Sequence, residues 1–156
     1  MDKKFGLSQI IIPTSVARAG VTVGEAFEQC VTHNVPGIPF CDRHDEIIGR
    51  VSLRHTMKKT CIPDYVVAGA HLLGDTIRAV KMPGELVTKV LQLPVDGFVL
   101  EKLTLLNPAA TFIKAMAVME QDNTDYAFVF GDDGYQGVIT RMGIASLMLK
   151  RGGVGV

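Results

Sequence analysis

Two short stretches of the sequence place groups suited to anion binding at the start of a predicted helix. In the first stretch Ser52 is followed by Arg54 and His55, and in the second Thr140 is followed by Arg141. A helix start carries unpaired backbone N–H groups and the positive end of the helix dipole, and both attract phosphate. A hydroxyl and a guanidinium add charge-assisted hydrogen bonds. Each stretch is therefore a candidate phosphate site, although a Ser or Thr there also serves simply as a helix N-cap.

The remaining reactive side chains do not form a recognisable catalytic set. No P-loop, nucleophile elbow or dinucleotide-binding glycine motif occurs in the sequence. Cys41 and His44 are a conceivable nucleophile and base, but no third group is evident to orient the histidine. The histidines show no metal-ligand spacing, so we predict no metal site and no enzyme.

The elements that position these residues occur twice. Gly49-Arg50-Val51-Ser52 corresponds to Gly137-Val138-Ile139-Thr140 at an offset of 88 residues. The same offset carries other residues of the first copy onto the second, namely Phe40 onto Phe128, Val31 onto Met119 and Asp45 onto Asp133. Such self-similarity indicates a duplicated unit. Each copy reads as helix, strand, tight turn, strand and short helix.

In the first copy the spacing of Thr22 and Glu25 predicts a capping box. The apolar spacing after it predicts one buried helix face formed by Val23, Ala26, Phe27, Cys30 and Val31. Residues 37–41 and 47–51 are predicted strands joined by a polar turn at 42–46, and Ser52 caps a helix over 53–59.

In the second copy Asn107 and Pro108 predict a helix start by cap and N1 proline. Its expected buried stripe is Phe112, Ala115, Met116 and Met119. Strands are predicted over 126–130 and 135–139 around the turn at 131–134, and Thr140 caps a helix that runs toward Lys150.

The copies bound four regions: repeat 1 over residues 15–59, a helical connector over 60–103, repeat 2 over 104–150 and a flexible tail over 151–156. In the connector, helical patterning covers 65–80, a second helix starts at Pro83 and covers 84–92, and 93–106 is expected to be extended. Each copy is too small to bury its own apolar surface, so the copies should share a core. The predicted fold class is α/β (α+β).

The bulk composition excludes several classes of function. Lys plus Arg and Asp plus Glu both number 16, so no basic excess favours nucleic-acid binding. No apolar stretch approaches the length of a membrane span. The three cysteines fit no secreted disulfide framework. We expect a cytoplasmic protein without nucleic-acid or membrane partners.

The duplicated unit, with a Gly-apolar-apolar-Ser/Thr sequence in its second half, resembles the CBS domain. The resemblance rests on residues 37–42, Gly49 to Ser52 and Gly137 to Thr140, and covers residues 15–59 and 104–150. It implies a pseudo-symmetric pair of repeats, called a Bateman module, whose clefts often bind AMP, ADP, ATP or S-adenosylmethionine. In that family the Ser/Thr contacts phosphate, and an Asp three residues later contacts ribose. Here His55 and Gly143 stand at those Asp positions.

The resemblance also implies a set of ligand-binding residues. Backbone groups of the first strands would read the adenine edge while their side chains pack on its faces. Together with the helix starts, the expected ligand-binding residues are Gly37, Ile38, Pro39, Ser52, Arg54, His55, Tyr126, Ala127, Thr140 and Arg141. No cofactor is required, and an adenine nucleotide is the expected ligand.

Three functional hypotheses follow. The first is a regulatory, nucleotide-sensing module that acts on an unidentified protein. The alternative is a ligand-free dimerisation or protein-interaction module that has lost its nucleotide site, and an unrecognised small enzyme ranks last. We expect a homodimer, because one shared core cannot hide all of the apolar helix residues Phe112, Met116, Met119, Ala145, Leu147, Met148 and Leu149.

Overall fold

The computed structural model describes residues 6–75 and 84–153, which contain six α-helices and six β-strands. The helices are α1 (Val23–His33), α2 (Leu53–Cys61), α3 (Asp64–Ala68), α4 (Gly84–Gln92), α5 (Phe112–Gln121) and α6 (Arg141–Arg151). The strands are β1 (Ala17–Arg18), β2 (Gly37–Cys41), β3 (Ile47–Ser52), β4 (Leu105–Leu106), β5 (Tyr126–Gly131) and β6 (Gly134–Thr140). The mixed α and β class and the duplicated architecture are confirmed.

Each repeat builds a three-stranded sheet with the same topology. The strand orders are β1-β2-β3 and β4-β5-β6. In both sheets the first pair is parallel and the second is an antiparallel hairpin. The sequence pattern identified both hairpins but missed β1 and β4, because two residues are too few to show a period.

Local hydrogen bonds set the start of each long helix. The Thr22 hydroxyl accepts from the backbone N–H of Glu25 at 3.1 Å, and the reciprocal bond completes the predicted capping box. In the second repeat the prediction that Asn107 and Pro108 begin the helix is wrong. Thr111 is the N-cap of α5 and accepts from the N–H of Lys114 at 3.1 Å. Asn107 instead accepts from the N–H of Ala109, which closes a local turn.

The offset of 88 residues holds only after the hairpin turn. Gly37 pairs with Ser52 and Tyr126 pairs with Thr140, so the first strands of the hairpins differ by 89 residues and the second strands by 88. Phe40 therefore matches Val129, and the predicted matches of Phe40 with Phe128 and of Val31 with Met119 are wrong. Eight residues lie between the paired Phe40 and Gly49 but only seven between the equivalent Val129 and Gly137, so a single offset cannot describe both halves of the unit.

Chain segments outside the sheets cross between the repeats. Ile12 bridges to Val138 of repeat 2, and Leu100 bridges to Arg50 of repeat 1. Each bridge consists of two backbone hydrogen bonds of 2.8–2.9 Å. The glycines of the repeated motif make room for these crossings. A Cβ on Gly49 would lie 2.5 Å from the carbonyl oxygen of Leu100, and one on Gly137 would lie 2.4 Å from that of Ile12.

Two clusters of buried side chains form the interior. One joins the repeats, because Val23, Ile38 and Val51 of repeat 1 pack with Tyr126 and Phe128 of repeat 2. The expectation of a shared core is therefore confirmed. The second cluster lies in repeat 2, around Met119, Val129 and Ile139, and includes Leu7 from the start of the described chain. 

Several predicted faces are only partly right. Val31 is 75% exposed, because the buried side of α1 runs through Val23, Ala26 and Cys30, and Val31 lies about 100° further around the helix. Of the apolar helix residues that were expected to require a second copy of the chain to cover them, Met119 and Leu147 are already buried within one chain. Met148 and Leu149 are exposed, as expected.

The connector is less regular than the sequence suggests. The predicted helix over 65–80 is wrong for its described part, because α3 ends at Ala68 before Gly69 and is followed by a 3₁₀ turn over Ala70–Leu72. Residues 76–80 and Pro83 lie outside the described residues. Helix α4 matches the prediction, but the segment after it is not fully extended, since Val95–Phe98 form a 3₁₀ turn.

Candidate functional site

Two clefts lie between the repeats, one at each predicted helix start. We call the first cleft the cavity of about 420 Å³ that is lined by Pro36, Arg50, Ser52, Arg54, His55, Lys58, Leu100, Asn123, Thr124, Asp125 and Tyr126. The second cleft, of about 480 Å³, is lined by Ile12, His33, Asn34, Pro36, Asp125, Thr140, Arg141, Met142, Gly143 and Ser146. Both volumes are in the range of small-molecule sites.

The clefts are built in the same way. Each combines the helix start of one repeat with the loop between helix and strand of the other, at residues 123–125 in the first cleft and 34–36 in the second. The loops have a matching backbone, since Asn34 and Asn123 both adopt the left-handed conformation, with φ of 55° and 53°. A crossing segment completes each wall, through Leu100 and Ile12. The duplicated sequence thus produces two pseudo-equivalent sites.

The hydroxyl at each helix start acts as an N-cap. Ser52 Oγ accepts from the N–H of His55 at 3.3 Å, and Thr140 Oγ1 accepts from the N–H of Gly143 at 3.0 Å. Neither hydroxyl donates a hydrogen bond to any of the described residues, so each proton remains available to a ligand. The capping and phosphate-binding interpretations are therefore compatible.

The first cleft is rich in uncompensated positive charge. Arg50, Arg54 and Lys58 line it, and none of them forms an ion pair within residues 6–75 and 84–153. Arg50 is held in place, because its Nη1 donates to the Tyr126 hydroxyl and its Nε donates to the carbonyl of Lys102 at 3.0 Å. Its guanidinium carbon lies 5.4 Å from the centre of the Tyr126 ring. The cleft is therefore preorganised for an anion.

The environment of His55 in this cleft lowers the pKa of its imidazole. Burial lowers the pKa of its imidazole below the ordinary value of about 6.5, and the positive charges of Lys59, Lys58 and Arg50 lower the pKa further. The neutral form of the ring therefore predominates at pH 7, and in that form one ring nitrogen can donate a hydrogen bond while the other can accept one.

In the second cleft the guanidinium of Arg141 is already paired with two carboxylates. Arg141 Nη2 lies 3.1 Å from a carboxylate oxygen of Glu120, and Arg141 Nε lies 3.1 Å from one of Asp125. Gly143 contributes no side chain, and the exposed Met142 adds apolar surface. A phosphate in this cleft would have to compete with two carboxylates for the guanidinium.

The structure divides the ten predicted ligand-binding residues into three groups. Ser52, Arg54, His55 and Tyr126 line the first cleft, and Thr140 and Arg141 line the second. The other four, Gly37, Ile38, Pro39 and Ala127, are buried in β2 and β5 and line neither cleft. Gly37 packs beneath Tyr126, where a Cβ would lie 2.6 Å from the tyrosine hydroxyl. Their part in ligand binding stays a prediction.

Sequence reasoning missed several residues of the first cleft. Lys58 lies four residues after Arg54 and three after His55, a spacing that places all three on one face of α2. That signal was present in the sequence. Asn123, Thr124 and Asp125 belong to the other repeat, and only the packing of the repeats brings them to α2.

Solved structures share the fold of this chain, whereas no family model and no curated protein matches its sequence. Among solved structures, a CBS domain-containing protein from Bacillus anthracis is similar over 97% of this chain and 99% of its own, with 16% identity and a TM-score of 0.60. A CBS domain-containing protein from Kribbella flavida is similar over 92% and 99%, with 16% identity and a TM-score of 0.63. The protein CBSX2, solved in complex with AMP, is similar over 95% of this chain and 98% of its own, with 16% identity and a TM-score of 0.60.

These likenesses, with the repeated topology and the crossing segments, establish that the chain has the fold of a pair of CBS domains. The predicted resemblance is confirmed at the level of the fold. None of the helices in residues 6–75 and 84–153 combines the length and the hydropathy that a membrane span requires.

Proposed function

We propose that this protein is a regulatory module that binds an adenosine-type nucleotide in the first cleft. The observation that carries the proposal is the meeting, in one cleft, of a hydroxyl-capped helix start with three cations, none of them ion-paired among the described residues. The phosphate groups would lie at the start of α2, near Ser52 and Arg54. Pro36 and Leu100 provide apolar wall for the base. One similar structure, CBSX2, was solved with AMP, which is consistent with the proposal.

The affinity for the nucleoside part should be modest. At the position where the family resemblance implies a ribose-binding Asp, this chain has His55. A neutral imidazole accepts one hydrogen bond, whereas a carboxylate accepts one from each ribose hydroxyl. Losing a charge-assisted hydrogen bond costs about 1.5–3 kcal/mol, equivalent to about ten- to a hundredfold in affinity.

Calorimetry with AMP, ADP, ATP and S-adenosylmethionine tests the proposal. We expect at least one nucleotide to bind the wild type, His55→Ala to weaken it, and Thr140→Ala in the second cleft to leave it intact. Loss of binding in Thr140→Ala with retention in His55→Ala would assign the ligand to the second cleft. Failure of all four compounds to bind the wild type would refute nucleotide sensing and favour a ligand-free interaction module.

We also propose that the module is a homodimer. Repeat 2 presents large apolar side chains to solvent on α5 and α6, where Ile113, Met142 and Met148 are 72%, 76% and 62% exposed. A two-fold contact with a second copy is the default way to cover such surface. Light scattering at micromolar concentration should give twice the mass of one chain. A monomeric mass would contradict this, and Met142→Glu should reduce dimerisation if α6 lies in the interface.

We further propose that the first cleft binds its nucleotide without catalysing turnover. In the described part of the chain, no nucleophile is paired with a base at either cleft. ATP and AMP incubated with pure protein should therefore remain intact. Hydrolysis that a point substitution in the first cleft abolished would overturn the proposal.

A further inference from the structure

We propose that the first cleft selects its ligand by a chain of two or more phosphates, and that the ribose contributes little. The ligand class is therefore nucleoside di- and triphosphates, with inorganic triphosphate as a minimal mimic. This inference deepens the proposed function and rests on the first cleft being the ligand site.

The cations of α2 are spaced along a line. Arg54, His55 and Lys58 share one face of the helix, and Lys58 lies four residues beyond Arg54, a rise of about 6 Å. Arg54 lies in the first turn beside the capping hydroxyl of Ser52. One phosphate at the helix start would thus leave Lys58 unused, whereas a longer phosphate chain would reach both cations.

Arg50 adds a third positive group from the neighbouring strand. Its contacts with Tyr126 and the Lys102 carbonyl use two of the five guanidinium N–H donors and fix the orientation of the group. The remaining donors can serve a ligand without the entropy cost of ordering a free side chain.

The balance of charge in the cleft favours a highly charged ligand. Asp125 is the single carboxylate among the lining residues, and Arg141 already pairs with it at 3.1 Å. Three cations therefore face the cavity against one carboxylate, which is shared with Arg141. A phosphate monoester carries about −1.5 to −2 at pH 7, and each added phosphate increases the complementarity. At the position where the resemblance implies a ribose-binding Asp stands the neutral His55, and the one lining carboxylate, Asp125, is shared with Arg141, so the charged contacts of the sugar are weak compared with those of the phosphates.

The test is calorimetry with inorganic triphosphate, ATP, ADP, AMP and adenosine in magnesium-free buffer. We expect ATP and inorganic triphosphate to bind at least about tenfold more tightly than AMP, because the longer phosphate chain gains contacts with both Lys58 and Arg50, each worth up to about fivefold. Lys58→Ala should weaken both about fivefold, as expected for an exposed ion pair. Lys59→Ala is the matched control. Lys59 also carries a positive charge close to His55, but it does not line the cleft.

The outcomes separate this inference from the proposed function. If AMP binds as tightly as ATP and Lys58→Ala matches Lys59→Ala, phosphate-chain selection is refuted while nucleotide binding stands. If inorganic triphosphate binds as tightly as ATP and depends on Lys58, selection by phosphate stands but recognition of adenine fails. If none of the compounds binds, both proposals fail. Tight binding of ATP, weaker binding of inorganic triphosphate and sensitivity to Lys58 support both.

Discussion

Substitution of Gly137 by alanine should destabilise the module more than the same substitution at Gly49, the corresponding glycine of the first repeat. The new Cβ would lie 2.4 Å from the carbonyl oxygen of Ile12 and 2.7 Å from a side-chain carbon of Ile11, so the crossing segment must move. Movement breaks the two backbone bonds between Ile12 and Val138, which are worth about 1 kcal/mol each. The φ of +150° at Gly137 adds strain of about 1–2 kcal/mol for a residue with a Cβ.

The expected loss is therefore about 3–4 kcal/mol in the free energy of unfolding, or roughly 10 °C in Tm for a chain of this size. Gly49→Ala meets the same kind of contact, at 2.5 Å from the Leu100 carbonyl, but without positive φ, so about 2 kcal/mol should be lost. Gly97→Ala is the matched control, because nothing lies within 4 Å of its added Cβ.

Urea unfolding of the three variants measures these differences, and hydrogen exchange at the Ile12 and Val138 amides locates them. The amide protection of both residues should fall in Gly137→Ala and persist in Gly97→Ala. Equal stability of Gly137→Ala and Gly97→Ala would refute the close crossing of the N-terminal segment over β6.

Three further perturbations have defined outcomes. Thr56 is fully buried, and its hydroxyl has no hydrogen-bond partner among the described residues, so Thr56→Val should raise the free energy of unfolding by about 1 kcal/mol; a decrease would show that the hydroxyl is satisfied in solution. The His55 imidazole should titrate below about 6.5 by NMR, and a midpoint at or above 6.5 would contradict this. Because the unfolded state then binds the proton more readily than the folded state, the stability associated with the neutral His55 should be lost as the pH falls below about 6.5 and through that lowered pKa. Thr22→Ala removes the capping box of α1 and should cost about 1 kcal/mol by urea unfolding, whereas an unchanged midpoint would show that the box is not formed.

The regular elements were accessible from sequence because their signals are local. Strand β2 was predicted at its observed limits, and Thr22, Ser52 and Thr140 were identified as caps, since each cap acts within three residues. Signals shorter than a period were missed, as for β1 and β4. The false helix start at Asn107 shows that a cap-like pair also suits a turn when a better cap, Thr111, follows.

Only part of the candidate site could be predicted from the sequence, for a different reason. Ser52, Arg54 and His55 follow one another along the chain, whereas Asn123 and Asp125 reach the same cleft by the packing of one repeat on the other. The neutralisation of Arg141 likewise depends on Glu120 and Asp125, which lie 21 and 16 residues earlier in the chain. A single sequence carries no signal for such tertiary contacts.

Amide chemical-shift mapping of ¹⁵N-labelled protein with ADP tests most directly whether the first cleft is the ligand site. If it is, the largest changes should occur at Arg54, His55 and Thr124, on the two sides of that cleft. Changes confined to Gly143 and Ser146 of the second cleft, or no change at millimolar ADP, would contradict it.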